Sequence, residues 1–337
     1  MPAEHPVRVP VRPAAPPRLL FDLQEGLCNL RCPACIVHGR PDHPALQRLR
    51  GHMPLAQARR LYAEIAAWRP RVQPQLWSEP LLARDFEVHL RAMKRYGLTV
   101  SLNTNGLLLD DAKADLMVSL GLDALFVSID AMTVETLQRV RGTRCLTAIH
   151  DAVARVLARR GTGGVPRVGV SFTRQAANRH EAEAFVAHWL ERVDVVRVGE
   201  VYQDGRRQRG VKLPARRRPC PALYDTMAIH RTGQVSVCCL DAFGETDLGN
   251  VFQSGVAAVW NGEAFGRVRR WHENGDFQHI PFCRDCNVWA NFDFRQTRRG
   301  DVLICRSGGT TYYNRIDRLS GGGLAAGAPQ SLEAGSC

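Results

Sequence analysis

The residues best suited to chemistry in this chain are its cysteines. Three of the eleven fall within eight residues, Cys28-Asn-Leu-Arg-Cys32-Pro-Ala-Cys35. Thiolates are the usual ligands of iron–sulfur clusters. Three on one loop can hold three irons of a cubane and leave the fourth open to a ligand from outside the protein. A structural zinc site takes four protein ligands, and His38 is the nearby group that would complete one. Four more cysteines, Cys220, Cys238, Cys283 and Cys286, recur after residue 200. Their grouping points to a second metal centre. A Cys-x-x-Cys pair with two distant cysteines suits zinc as well as a cluster. Cys239 competes with Cys238 for one place, since successive strand residues face opposite ways. Cys145, Cys305 and Cys337 stand apart. With no signal-peptide core, such cysteines are not read as a disulfide framework.

Something must position these loops. From Leu19 to about Glu200 short apolar runs alternate with amphipathic segments, which predicts an α/β fold. The expected strands are Leu19–Leu23, Val72–Trp77, Leu98–Asn103, Ala124–Ile129, Arg167–Phe172 and Val195–Gly199. The expected helices are Leu55–Trp68, Leu146–Arg159 and Asn178–Val193, the last opening on a capping box of Asn178 and Glu181. Six βα units in a row imply a parallel sheet covered by helices on one side, open or curled into a partial barrel. Chemistry then collects at the C-terminal ends of the strands. Residues 1–18, rich in Pro and Arg, are read as a disordered arm, and 201–219 as a basic linker. A hairpin of Met227–Ile229 and Gln234–Val237 opens a second unit over 220–300. An extension and a Gly/Ala-rich tail fill 301–337, the tail read as disordered from Ser320.

Net charge is +12, carried by arginine groups such as Arg206, Arg207 and Arg209, and Arg216 to Arg218. No nucleic-acid module accompanies them, so a solvated surface is the plainer reading. An anionic substrate or an acidic electron carrier lies between the two, and charge alone does not decide. No apolar run reaches membrane-spanning length, and the expectation is a cytoplasmic protein.

The cysteine loop follows the first strand of a βα series, and in that place Cys-x3-Cys-x2-Cys resembles the radical S-adenosylmethionine superfamily. The resemblance extends through Trp77-Ser78-Glu79-Pro80, Asn103-Thr104-Asn105-Gly106, Val127-Ser128-Ile129-Asp130 and Arg141-Gly142. It implies a partial (β/α)6 TIM-like barrel over 19–200 and a [4Fe-4S] cluster on Cys28, Cys32 and Cys35. It also implies S-adenosylmethionine bound by Glu79 (methionine amino group), by Asn105, and by Ser128 with Arg141 (together the ribose and methionine carboxylate). The sequence departs from the pattern at Ala34, where the family has an aromatic residue, and at Trp77 and Ser78, where it has glycines. The second cysteine set, with Gly249-Asn250 and Trp260-Asn261, resembles the SPASM/twitch extension. That implies a small C-terminal twitch (half-SPASM) domain with a second [4Fe-4S] cluster on Cys220, Cys238, Cys283 and Cys286.

The resemblance further implies a radical enzyme that abstracts hydrogen from a small sugar, aminocyclitol or aminoglycoside-type substrate, like the twitch-type dehydrogenases and epimerases of aminoglycoside biosynthesis. Oxidation to a ketone needs a base, for which Glu200 is the candidate. Epimerisation needs a hydrogen donor, for which Cys145, Cys239 and Cys305 are the candidates. A flavodoxin- or ferredoxin-type protein would supply electrons. Ribosomal-peptide modification is the rival, though such enzymes often carry a leader-binding domain and about eighteen residues precede the first strand. A non-enzymatic metal scaffold would leave Glu79, Asn105 and Arg141 without purpose.

Overall fold

The computed structural model describes residues 10–40, 42–203 and 206–318. Cys337 and the tail from Ser320 lie outside the described residues. The six anticipated strands form as β1 (Arg18–Phe21), β2 (Arg71–Gln73), β3 (Thr99–Thr104), β4 (Ala124–Ser128), β5 (Arg167–Arg174) and β6 (Val195–Glu200). They run parallel in chain order. One face packs against the helices, with Leu19, Phe21, Val100, Leu125, Val127 and Val170 in the main core. The other faces inward, and the sheet curls into a partial barrel.

A six-stranded arc leaves two edges of unpaired backbone groups, and the rest of the chain covers both. On one side β7 (Thr226–Ile229) pairs parallel to β1, with β8 (Val235–Ser236) antiparallel beyond it. The anticipated hairpin therefore forms, but as an extension of the main sheet. On the other side β9 (Arg295–Arg299), β10 (Val302–Arg306) and β11 (Thr310–Arg315) form a meander whose last strand pairs antiparallel to β6. The outermost strand, Arg-Gln-Thr-Arg-Arg, is exposed throughout, and its charges discourage further pairing.

The inner face is packed at its floor by Phe126, Val195, Cys305 and Tyr312. Gly169 makes this possible, because a Cβ there would stand 2.5 Å from the Phe126 ring. Two local readings need correction. Part of the supposed disordered arm is pinned: Trp260 Nε1 donates to Pro13 O at 2.9 Å and Trp68 Nε1 to Pro16 O at 3.3 Å. Asn178 and Glu181 do not form a capping box. Asn178 Nδ2 donates to Asp130 O and Thr173 O, both at 2.9 Å. The Glu181 carboxylate accepts from Met132 N, Thr133 and Thr136 at 2.6–2.8 Å. Tertiary partners on the loop after β4 outcompete the local cap, and that loop is thereby fixed.

A buried chain of polar contacts ties the loop after β1 to the β7–β8 hairpin. Glu25 Oε1 lies 2.5 Å from His230 Nδ1, and His230 Nε2 lies 2.6 Å from Ser236 Oγ. Burial disfavours the imidazolium, but Glu25 outweighs it and the His230 pKa rises above 6.5. A raised histidine pKa stabilises the fold fully below the unfolded value, and the gain is lost as pH climbs through the folded value. Asp22, pushed up to about 8 by burial and by Glu25, acts in the same sense. The melting temperature is expected to fall as pH rises from 6.5, and His230→Gln should flatten that slope. Equal slopes in thermal melts across pH 6–9 would remove His230 from this role.

Candidate active site

A cavity of about 290 Å³ opens inside the barrel, at the C-terminal ends of β1 to β6. Cys28, Cys32 and Cys35 line one side. Their loop is held by turns, with Cys35 N donating to Cys32 O at 2.9 Å and Gly39 N to Cys35 O at 3.0 Å. A Cβ on Gly39 would stand 2.5 Å from Cys35 O and 2.7 Å from Cys32 O, so the loop closes on a residue without a side chain. Backbone amides point at two sulfurs: Leu30 N at 3.4 Å from Cys28 Sγ and His38 N at 3.3 Å from Cys35 Sγ.

Glu79 is 3 % exposed. Its carboxylate accepts from Thr104 Oγ1 at 2.6 Å, Asn105 N at 2.8 Å and Leu81 N at 3.2 Å. Burial raises its pKa, and these donors oppose the rise. The buried Gln24 amide holds the backbone beside it, donating to Glu79 O at 2.7 Å. Asn105 Nδ2 donates to Asn29 Oδ1 at 2.7 Å and stands 3.9 Å from Cys28 Sγ. Ser128 pairs with Ser171 through their hydroxyls at 3.2 Å. All these residues except Gln24, Leu81, Asn29 and Ser171 line the cavity.

Arg141 reaches the cavity from the helix Val134–Arg141 and donates from Nε to Asp130 Oδ2 at 2.8 Å. Burial works against its charge, but Asp130 and Cys32 outweigh it and the pKa rises. Asp130 has φ +65°, a left-handed conformation that aspartate tolerates better than most residues. That turn lets its other oxygen accept from Thr173 N at 2.6 Å. Asp130 thus holds Arg141 against the cysteine loop.

The second set of cysteines also assembles. Cys220, Cys238 and the Cys283–Cys286 turn come from three separate segments, yet burial raises all four thiol pKa values, and neighbouring cysteines add to the rise for Cys220 (to about 12), Cys238 and Cys283. Arg217 sits beside them, donating to Cys283 O at 2.7 Å, with its guanidinium 3.9 Å above the Phe277 ring. Tyr202 lines the cavity on this side. Burial raises its pKa, Arg197 opposes the rise, and Cys286 and Cys238 add to it, so the second set lies within electrostatic reach of Tyr202.

Buried thiols of this kind stay protonated unless a strong cationic centre compensates them. Burial, with Glu79, Cys32 and Cys35 adding to it, pushes the Cys28 thiol up to about 12. Among the described residues, no group of His, Cys, Asp or Glu converges on the position of one metal ion. Both sets nevertheless fit a multi-iron cluster, which spreads its thiolates over several irons.

The cavity gathers Glu79, Asn105, Ser128, Arg141, Glu200 and the first three cysteines. Cys145 is exposed at the start of the helix Leu146–Arg160. Cys305 is buried at the barrel floor with Phe126 and Tyr312. Cys239 packs with Leu20 and Ala228 and, against the sequence expectation, is disulfide-bonded, so it has no S–H to donate. None of these three belongs to the cavity lining among the described residues. Sequence reasoning missed Asp130, Gln75, Arg197 and Tyr202 as lining residues. Arg197 carried a signal: it is the one charged residue before Glu200 in the run Val195-Val-Arg-Val-Gly199.

Two matched domains agree with a barrel that carries a cysteine loop at its rim, and both are domains of radical S-adenosylmethionine enzymes, whose cofactors are S-adenosylmethionine and [4Fe-4S] clusters. The chain carries a Radical SAM superfamily domain over residues 26–169 and an iron–sulfur cluster-binding SPASM domain over 220–287. In sequence it is 28% identical over 184 residues to the GTP 3',8-cyclase of Aeromonas hydrophila, covering 53% of this chain and 52% of that one. It therefore spans about half the length of that relative. In structure it is similar to BtrN in complex with AdoMet and 2-DOIA (TM-score 0.53, 15% identity, 81% of this chain and 93% of that one). It is also similar to Streptococcus suis SuiB bound to the precursor peptide SuiA (TM-score 0.59, 13% identity, 77% and 67%). Among the described residues, no helix is long and apolar enough to cross a membrane.

Proposed function

We propose that this enzyme dehydrogenates a secondary alcohol of a small sugar- or cyclitol-like substrate. The observation that carries the reading is that Glu200 and Tyr202 line one cavity with the first cysteine loop, while Tyr202 lies within electrostatic reach of Cys238 and Cys286 of the second set. The clusters and S-adenosylmethionine, when bound, supply the one-electron chemistry: a hydrogen-atom acceptor and a sink for the second electron. Cys28, Cys32 and Cys35 hold the first cluster, and Cys220, Cys238, Cys283 and Cys286 the second. Glu79, Asn105, Ser128 and Arg141 orient the sulfonium compound.

Glu200 takes the hydroxyl proton. Its Oε1 is 2.7 Å from Arg174 and its Oε2 is 3.5 Å from Arg179. Oε2 is buried and makes no hydrogen bond. Glu200 also lines a second hollow with Arg179, Arg209 and Gly210, a route by which the proton leaves. Epimerisation is the weaker reading, because Cys145, Cys239 and Cys305 lie away from the lining. A reducing compartment and a flavodoxin- or ferredoxin-type donor belong to this proposal.

The test is anaerobic turnover with small polyols and with GTP. The expected product is a ketone lighter by two hydrogens. Glu200→Gln should lower product per 5′-deoxyadenosine by about a hundredfold, the usual scale for losing a general base. Solvent deuterium gained without mass loss, or a cyclised guanosine product from GTP, would overturn the proposal.

A further inference from the structure

Among the described residues, the cavity wall holds a cation that no carboxylate pairs with and an amide that has no hydrogen-bond partner. Arg197 projects from the inner face of β6, between Ser171 of β5 and Tyr312 of β11 in the sheet register. It lines the cavity with its guanidinium 5.3 Å from the Phe126 ring. The carboxylates that line the cavity are occupied elsewhere: Glu79 by Thr104 and Asn105, Asp130 by Arg141 and Thr173, Glu200 by Arg174 and Arg179. Among the described residues none forms an ion pair with Arg197. Gly199, next along the same face, puts no side chain in front of it. Across the cavity Gln75 is 3 % exposed, and neither its amide oxygen nor its nitrogen has a hydrogen-bond partner.

A buried amide with donor and acceptor both unmet costs free energy that a ligand recovers. A guanidinium in a confined, half-apolar site likewise gains most from a carboxylate or phosphate, which it can grip with two parallel hydrogen bonds. We propose that Arg197 and Gln75 form the substrate seat, and that the substrate is a small polyhydroxylated anion, a sugar acid or a sugar phosphate. Arg197 takes the anionic group and Gln75 reads a hydroxyl. This rests on the proposed small-alcohol chemistry and names the class within it. A polycationic aminocyclitol would set like charge against Arg197.

The test is calorimetric titration of the anaerobically reconstituted full chain, with S-adenosylmethionine present. The probes are D-glucuronate, D-glucose 6-phosphate, myo-inositol and 2-deoxystreptamine. One of the two anions should bind at least about tenfold tighter than inositol, and the better of them separates carboxylate from phosphate. Arg197→Gln should weaken that anion about tenfold or more, Arg197→Lys less, and Arg197→Glu should shift preference toward 2-deoxystreptamine. Gln75→Leu should weaken the anion and inositol alike. Tighter binding of inositol or 2-deoxystreptamine by the wild type, or Arg197→Gln without effect, would overturn the inference. Binding needs no turnover, so the readouts separate. Alcohol oxidation without anion preference sinks this inference alone; anion binding without oxidation sinks the proposed reaction.

Discussion

Replacing Cys32 with alanine is expected to reduce 5′-deoxyadenosine formation to background while leaving the fold intact. The argument is local. Cys32 sits between Cys28 and Cys35 on one loop, and its sulfur feels both Arg141 and Asp130, with burial the larger influence on its pKa. Removing it leaves two thiols on the loop, too few for a cubane that needs three protein ligands and one open iron. The loop's shape does not depend on the sulfur, because the turn is closed by Cys32 O accepting from Cys35 N. Cys32 is only partly buried, so the stability of the cluster-free protein should shift by no more than about 1 kcal/mol. The checks are 5′-deoxyadenosine by chromatography after anaerobic reduction, and thermal melts of the cluster-free chains. Normal cleavage in this variant would remove Cys32 from the ligand set and the cysteine loop from its assigned chemistry.

How much of this was legible in the sequence follows from how locally each feature is encoded. The six central strands are apolar runs of strand length separated by amphipathic helices, and each announces itself within a dozen residues. The strands that close the edges do not. Thr226–Ile229 pairs with β1 from more than two hundred residues away, and Thr310–Arg315 pairs with β6 across the whole second unit. No local periodicity records such a partner. Asn178 and Glu181 show the converse error. Their spacing is that of a helix cap, but Asp130 and the Met132–Thr136 segment offer better partners once the barrel closes.

The site divides the same way. The first cysteine loop is contiguous and readable, and Asp130 and Arg141 are eleven residues apart. Gln75, Arg197 and Tyr202 are ordinary residues until the sheet turns them toward one cavity. For Cys239 and Cys305 the sequence shows the sulfur but not the place it ends up, nor that Cys239 is disulfide-bonded. Cys305 is buried beside Phe126 and Tyr312, two strands out from Arg197 in the sheet register, and is not among the residues that line the cavity.

Cys283→Ala should separate the two centres. Cys283 is 8 % exposed on the short helix Pro281–Arg284, and Cys286 N donates to Cys283 O at 3.2 Å. The pair forms one turn, while Cys220 and Cys238 arrive from distant segments. Losing Cys283 leaves three thiols that no single loop holds together, unlike the first set, whose three lie within eight residues. Iron after anaerobic reconstitution is therefore expected to fall from about eight to about four atoms per chain. Because cluster binding contributes to the stability of the segments it joins, the variant should also lose protease resistance around residues 275–292, where Arg217 stacks on Phe277 and faces Trp289. The first cysteine loop shares no ligand with this set, so product per 5′-deoxyadenosine should fall further than 5′-deoxyadenosine itself. Iron measured colorimetrically beside product mass spectra decides the matter. An unchanged iron content would exclude Cys283 as a ligand. Four irons lost with product formation intact would mean that the second centre is structural, and the proposed oxidation would then need another electron acceptor.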